Sequence, residues 1–147
     1  MTVKFIGLDD LLDNLNKFEI DLDDAIDDAV RTVAIKVQQG AIKAIRTPSI
    51  GTHVTRYTEG GKPKPHVASK PGDAPNSDTG VLMGSVSLDH VKGKQIAFVS
   101  TPFEYGFFLE TVMNRPWLLP SLNEQIPYAE NIIRRMVSDR IKAASNK

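Results

Sequence analysis

The stretch Tyr105-Gly-Phe-Phe-Leu-Glu-Thr-Val-Met-Asn-Arg-Pro-Trp-Leu-Leu-Pro-Ser-Leu122 decides how this chain folds. It gathers aromatics and leucines around one internal carboxylate, Glu110, and two prolines. Thr101-Pro102-Phe103-Glu104 just before it has the form of a capping box with proline at the first helical position, predicting a short helix that holds Tyr105, Phe108 and Leu109. Ser121-Leu-Asn-Glu124 is a second such box and opens a C-terminal helix, whose apolar stripe is Ile126, Ala129, Ile132, Ile133, Met136, Val137 and Ile141. Pro127 should kink that helix or restart it one turn later. Between the helices, a half-buried Glu110 needs hydrogen bonds or a positive partner, and the backbone N–H groups of 111–114 or the Arg115 guanidinium are in reach. Tyr105, Glu110, Arg115 and Trp117 therefore read as a structural clasp, with Trp117 as a core anchor; an intersubunit contact is the alternative for Glu110.

Upstream, Val3 to Ile6 can make a short strand, and Asp9 to Phe18 a short amphipathic helix carrying Leu8, Leu11, Leu12, Leu15 and Phe18 on one side. A longer helix follows with Asp21 as its N-cap and the stripe Leu22, Ile26, Ala29, Val33, Val37, Ala41 and Ala44. At 100° per residue, Asp23, Asp24, Asp27, Asp28 and Arg31 fall opposite that stripe. Gly40 marks a close backbone approach, and Thr47-Pro48 ends the helix. Residues 47–78 hold nine prolines and glycines with almost no apolar periodicity, which reads as a flexible, exposed basic loop that orders on a partner. Asp78 to Ser85 looks like a capped helical turn. Ser85–Val91 and Gln95–Ser100 then form a hairpin about Lys92-Gly93-Lys94, with Ile96 and Phe98 on one face and Ala97 and Val99 on the other.

The 147 residues suit a single domain, 1–147, and fractions of 41% apolar and 24% charged argue against disorder along the whole length. The absence of cysteine removes disulfides, thiolate catalysis and thiolate zinc sites. The N-terminal residues lack the apolar run of a signal peptide, and no stretch approaches the roughly 20 apolar residues of a bilayer span, so the expectation is a protein made in a cytosol with no membrane partner. The net charge of zero hides a segregation. Residues 1–30 carry nine acids against two lysines, and residues 31–70 carry eight bases against Glu59 alone. Such asymmetry suits a self-complementary surface or a charged partner, beside the plainer reading of solvated faces.

Candidate sites thin out quickly. Asp21–Asp28 lacks the glycine and the spaced ligands of a calcium loop. His53, His66 and His90 form no helical metal pair, and the serines have no elbow motif or linked base. No catalytic residue, cofactor or metal is therefore assigned, and an enzyme is the least supported class. Arg56, Tyr57, Lys62, Lys64 and Lys70 could touch nucleic acid, although zero whole-chain charge weighs against that as the main task.

Three segments together resemble the head–tail joining, or tail-completion, proteins of long-tailed bacteriophages. Thr79-Gly-Val-Leu-Met-Gly-Ser85 is similar to that family's Thr/Ser-Gly-x-Leu-x-x-Ser, Tyr105-Gly-Phe-Phe-Leu-Glu-Thr111 to Tyr-Ala-x-x-x-Glu-x-Gly, and Arg115-Pro-Trp-Leu-Leu-Pro-Ser-Leu122 to Pro-Phe-Leu-x-Pro-Ala-Leu. The resemblance covers the C-terminal half, and the N-terminal helices only in general plan. Gly106 stands for the usual Ala, Val112 for the glycine after Glu-x, and Trp117 for Phe. The resemblance implies an α+β fold: a small antiparallel sheet packed against a long helix, with N- and C-terminal helices and a long exposed loop. It also implies a virion structural protein with no active site, forming a ring, typically a hexamer, at the neck. Its partners would be further copies of itself, a portal-side connector, and a tail tube or tail terminator protein, with DNA passing through the lumen without specific binding. The location would be the virion neck, after assembly in the host cytoplasm. On that reading Asp23, Asp24, Asp27 and Asp28 would line a DNA-repelling lumen, and the basic loop would meet a neighbouring subunit or ring. A tail terminator or minor tail protein is the near alternative; a small nucleic-acid-binding protein using the basic loop is the distant one.

Overall fold

The computed structural model describes residues 8–145. In chain order they form α1 (Leu8–Arg46), β1 (Thr52–Tyr57), β2 (Pro63–Ala68), α2 (Val81–Ser85), β3 (Ser87–Val91), β4 (Ile96–Ser100), α3 (Glu104–Thr111) and α4 (Leu119–Ser145). The class is α+β, and the strands make two separate two-stranded antiparallel sheets. The strand expected at Val3–Ile6 lies outside the described residues, as do the side chains of Leu8, Leu11 and Leu12.

The two expected N-terminal helices are one, a 39-residue α1. Glu19-Ile20-Asp21 contains neither glycine nor proline, so nothing interrupts the hydrogen-bond ladder, and Asp21 sits inside the helix rather than capping it. Ala25, Ala29, Ala34, Val37, Ala41 and Ile45 are its buried apolar residues among those described. Mostly small, they let α4 come close. A Cβ on Gly40 would lie 3.2 Å from both Cβ and Oγ of Ser121, which is the close approach the glycine implied. Val30 and Val33 face the same cleft as Ala129 and Ile133 further along α4, so the two helices run antiparallel.

The β3–β4 hairpin pairs Ser87 with Ser100 through Val91 with Ile96 and packs on α1. Ala97 and Val99 turn inward while Ile96 and Phe98 remain exposed. Gln38 on α1 donates from Nε2 to the Val86 carbonyl at 2.9 Å and ties the approach to β3 down.

Residues 47–78 are not irregular throughout. They contain the β1–β2 hairpin, paired from Thr52 with Ala68 to Tyr57 with Pro63. Prolines 63 and 65 hid it, yet they share one parity, and a two-stranded sheet leaves every second N–H unpaired. The segment after β2 folds back: Asn76 accepts from Ser49 N at 2.7 Å and donates to the carbonyls of Ser49 at 3.0 Å and Val67 at 2.9 Å.

Neither capping box forms as written. α3 begins at Glu104 with Phe103 as its N-cap and no side-chain cap, so Pro102 lies outside the helix. Thr101 Oγ1 instead accepts from Phe103 N at 3.3 Å and meets Ser85 Oγ at 2.7 Å. α4 begins at Leu119, and Ser121 inside its first turn donates back to the Trp117 carbonyl at 3.1 Å. The cap of α4 comes from another helix. Glu110 Oε2 accepts from Trp117 N at 2.8 Å and Leu118 N at 3.0 Å, and Oε1 accepts from Leu119 N at 2.9 Å. The partners are thus the amides of 117–119, rather than those of 111–114 or the Arg115 guanidinium. A carboxylate there satisfies N–H groups the helix cannot pair itself and sits at the positive end of the helix dipole. Pro120 follows at once and carries no N–H to satisfy. α4 runs through Pro127 without restarting.

Trp117, 2% exposed, joins Ala41, Ile45, Leu82 and Val86 in the core. Its indole Nε1 donates to the Gly106 carbonyl at 3.1 Å. A Cβ on Gly106 would stand 2.9 Å from Thr101 Cγ2, 3.1 Å from Leu82 Cδ1 and 3.4 Å from the indole Cζ2. Gly106 and Trp117 are therefore in contact, with the indole occupying space next to the missing methyl. In the turn after α3, Val112 is right-handed and Asn114, two residues on at φ +48°, takes the left-handed position.

Glu110→Ala should lower unfolding free energy by about 3 kcal/mol, since it strands three amides that had a charged acceptor. Denaturant titration of the full chain checks this. In the same assay Gly106→Ala should cost about 1–3 kcal/mol. The cost should shrink in a Trp117→Phe background, a non-additivity that a double-mutant cycle reads directly.

Candidate assembly surface

Much of this chain faces solvent. Among the described residues, many large apolar side chains are exposed. On α3 and the turn after it, Phe107 is 71% exposed, and Phe108, Val112 and Met113 also face outward. On α4 the exposed residues include Leu119, Leu122, Ile126 and Tyr128, and on β4 they are Ile96 and Phe98. An open apolar cleft of about 380 Å³ runs between α1, β4 and α4, walled by Val30, Val33, Ala34 and Val37 on one side and Leu118, Leu122, Ala129 and Ile133 on the other. Large unpaired apolar surface on a folded domain marks a place of association.

The clasp residues divide between core and surface. Glu110 and Trp117 sit at the α3–α4 junction as described. Tyr105 is 42% exposed, stacks on Phe103 at a centroid distance of 5.4 Å, and has its phenol pushed above the ordinary range by partial burial. Arg115 is half-buried, and its Nε has no hydrogen-bond partner.

The acidic face expected on α1 is narrower than the helical wheel implied. Asp24 and Asp28 are exposed, but Asp27 is buried at 4% exposure. Its Oδ1 accepts from Gln95 N at 3.1 Å and lies 3.1 Å from His90 Nε2, so it latches α1 to the tip of the β3–β4 hairpin. Asp23 accepts from Gln95 Nε2 at 3.2 Å. The hairpin, α2 and α4 all pack on α1, and Asp27 falls under the hairpin rather than on an open face. Burial alone would raise the Asp27 pKa, but N–H bonds from Gly93 and Gln95 and the neighbouring His90 outweigh it, and the carboxyl sits below its usual range.

The basic segment is also less basic in space than in sequence. Asp78, beyond the 31–70 window, folds onto it: Lys64 Nζ lies at 3.0 Å, Arg56 Nη1 at 3.6 Å and His66 Nδ1 at 3.8 Å. The Lys64 hydrogen bond, opposed by burial and aided by the charges of Lys64, His66 and Arg56, holds the Asp78 carboxyl low. Tyr57, Lys62 and Lys70 stay exposed without joining this cluster. The chain order of one acid after a run of bases was visible; the fold-back fixed by Asn76 was not.

A second cleft, of about 470 Å³, opens beside this cluster between the 69–80 segment, α2 and α3. Among the described residues no helix is long and apolar enough to cross a membrane, and no three His, Asp or Glu side chains are grouped as metal ligands would be. No known family, curated protein or solved structure matches the chain.

Asp27 and Asp78 both have depressed native pKa values, so the stability they confer is present above about pH 4, the unfolded aspartate value. It is lost as pH falls through the native values. Acid titration followed by circular dichroism should show stability declining below about pH 4, and Asp27→Asn should flatten that decline.

Proposed function

We propose that this chain is a virion structural protein that forms a ring at the head–tail junction and joins the DNA-filled capsid to the tail. The observation that carries the reading is the exposed apolar surface, aromatic and aliphatic side chains spread over α3, α4 and β4. A subunit of an assembly has such surface because its neighbours cover it. The ordered segments Thr79–Ser85, Tyr105–Thr111 and Arg115–Leu122, similar to those of phage tail-completion proteins, support the choice of that assembly.

The geometry around those segments supports the same reading. They contribute Leu82, Gly106, Glu110 and Trp117 to one core, so they are linked by packing as well as by order. Exposed Asp24 and Asp28 on α1 would face a lumen through which DNA passes without being bound. The rival reading, a nucleic-acid-binding hairpin, loses ground because Asp78 already engages Arg56, Lys64 and His66, groups a phosphate backbone would need free.

Particles assembled without this protein test the proposal. Electron microscopy should show DNA-filled heads lying beside separate, finished tails. Normal joined virions would overturn the reading.

A further inference from the structure

The cleft beside Asp78 has the features of a binding site that the fold itself leaves empty-handed. Its volume is about 470 Å³, and Ile45, Leu82, Leu109 and Met113 give it an apolar floor. Two buried polar atoms in its lining lack partners: Ser69 Oγ, on a residue only 3% exposed, and Arg115 Nε. The Gly72 N–H donates to the Asn114 carbonyl at 2.6 Å, which holds the two segments that carry them side by side. Buried unpaired donors are rare because each costs the desolvation of that group, so a pair in one cleft points to a missing acceptor.

The charge around the cleft says what sign the acceptor has. Arg56 and His66 lie on its wall with Asp78, whose carboxylate they already share with Lys64. Arg115 has no carboxylate within ion-pair distance among the described residues. A bare inorganic anion would satisfy the donors and leave the apolar floor wet. A carboxylate on a segment with an adjoining aliphatic side chain satisfies both.

The same chain carries such a segment. Residues 13–17 near the start of α1 are all exposed, whereas Phe18 and Leu22 further along are half-buried. Leu15, 54% exposed, and Glu19 stand four residues apart and share one face, with Asp13 and Asp21 nearby. We infer that the cleft of one copy receives the Leu15–Glu19 face of α1 from a second copy, Leu15 on the apolar floor and Glu19 toward Arg115 and Ser69. The contact joins two different surfaces, head to tail, and that is the kind of contact that closes rings. It rests on the ring reading and specifies the joint within it.

Because the chain has no cysteine, single thiols report the contact cleanly. Full-length Ser77→Cys, at the exposed mouth of the cleft, is mixed with a full-length chain carrying Asn16→Cys, one turn before an intact Glu19, and oxidised, with Glu130→Cys on α4 replacing Asn16→Cys in the control. The expected result is a mixed disulfide dimer well above the control, lost to control level when Arg115→Gln is added to the Ser77→Cys chain with its thermal melting unchanged. A yield equal to the control, or one indifferent to Arg115→Gln, overturns the docking. Sedimentation velocity of the unaltered chain separates the two readings. Self-association without the cross-link removes this joint and keeps the ring, whereas a chain that neither associates nor cross-links counts against both.

Discussion

The carboxylate of Glu110 is the constraint on which the rest depends. A 27-residue helix must start next to a short one, and its first amides need acceptors where no serine or aspartate precedes it. Glu110 supplies both oxygens from the end of α3, and so fixes the distance and the angle between the helices in one step. Trp117 is then committed to the core, its indole N–H taken by Gly106 and its ring set against the space where that residue lacks a methyl. Ser121, one turn later, meets Gly40 and sets the register of α4 on α1. The order of consequences runs from one ion to the packing of the two longest helices.

The parts legible in the sequence were those with local causes. The α+β class, the β3–β4 hairpin with Ala97 and Val99 on the face opposite Ile96 and Phe98, the close approach at Gly40 and the burial of Trp117 all follow from periodicity or residue size. What escaped has tertiary causes. Ser121 looked like a cap, but a better acceptor arrives from another helix, so its hydroxyl turns back to Trp117. Thr101 looked like a cap and instead pairs with Ser85 across the core edge. Asp27 looked solvated because a wheel shows one buried stripe, whereas three elements pack on this helix. The β1–β2 hairpin was hidden by prolines that an edge strand tolerates at alternate positions.

The candidate site shows the same division. Charge segregation along the chain was plain, yet folding spends part of it internally: Asp27 and Asp23 on the hairpin tip, Asp78 on Arg56 and Lys64. What remains outside is narrower and more specific, the exposed Leu15 and Glu19 near the start of α1, and a cleft whose Ser69 and Arg115 donors go unanswered. The internal corner at Glu110 and Trp117 holds the fold, and the outward surfaces keep their exposed apolar side chains.

The central claim, that this chain works as one of several copies at a head–tail neck, is tested most directly by electron cryomicroscopy of joined particles that contain it. The account predicts a closed ring between capsid portal and tail, with the start of α1 from each copy against the 69–80 segment of the next. Density for a single copy, or for copies placed elsewhere in the particle, would contradict it.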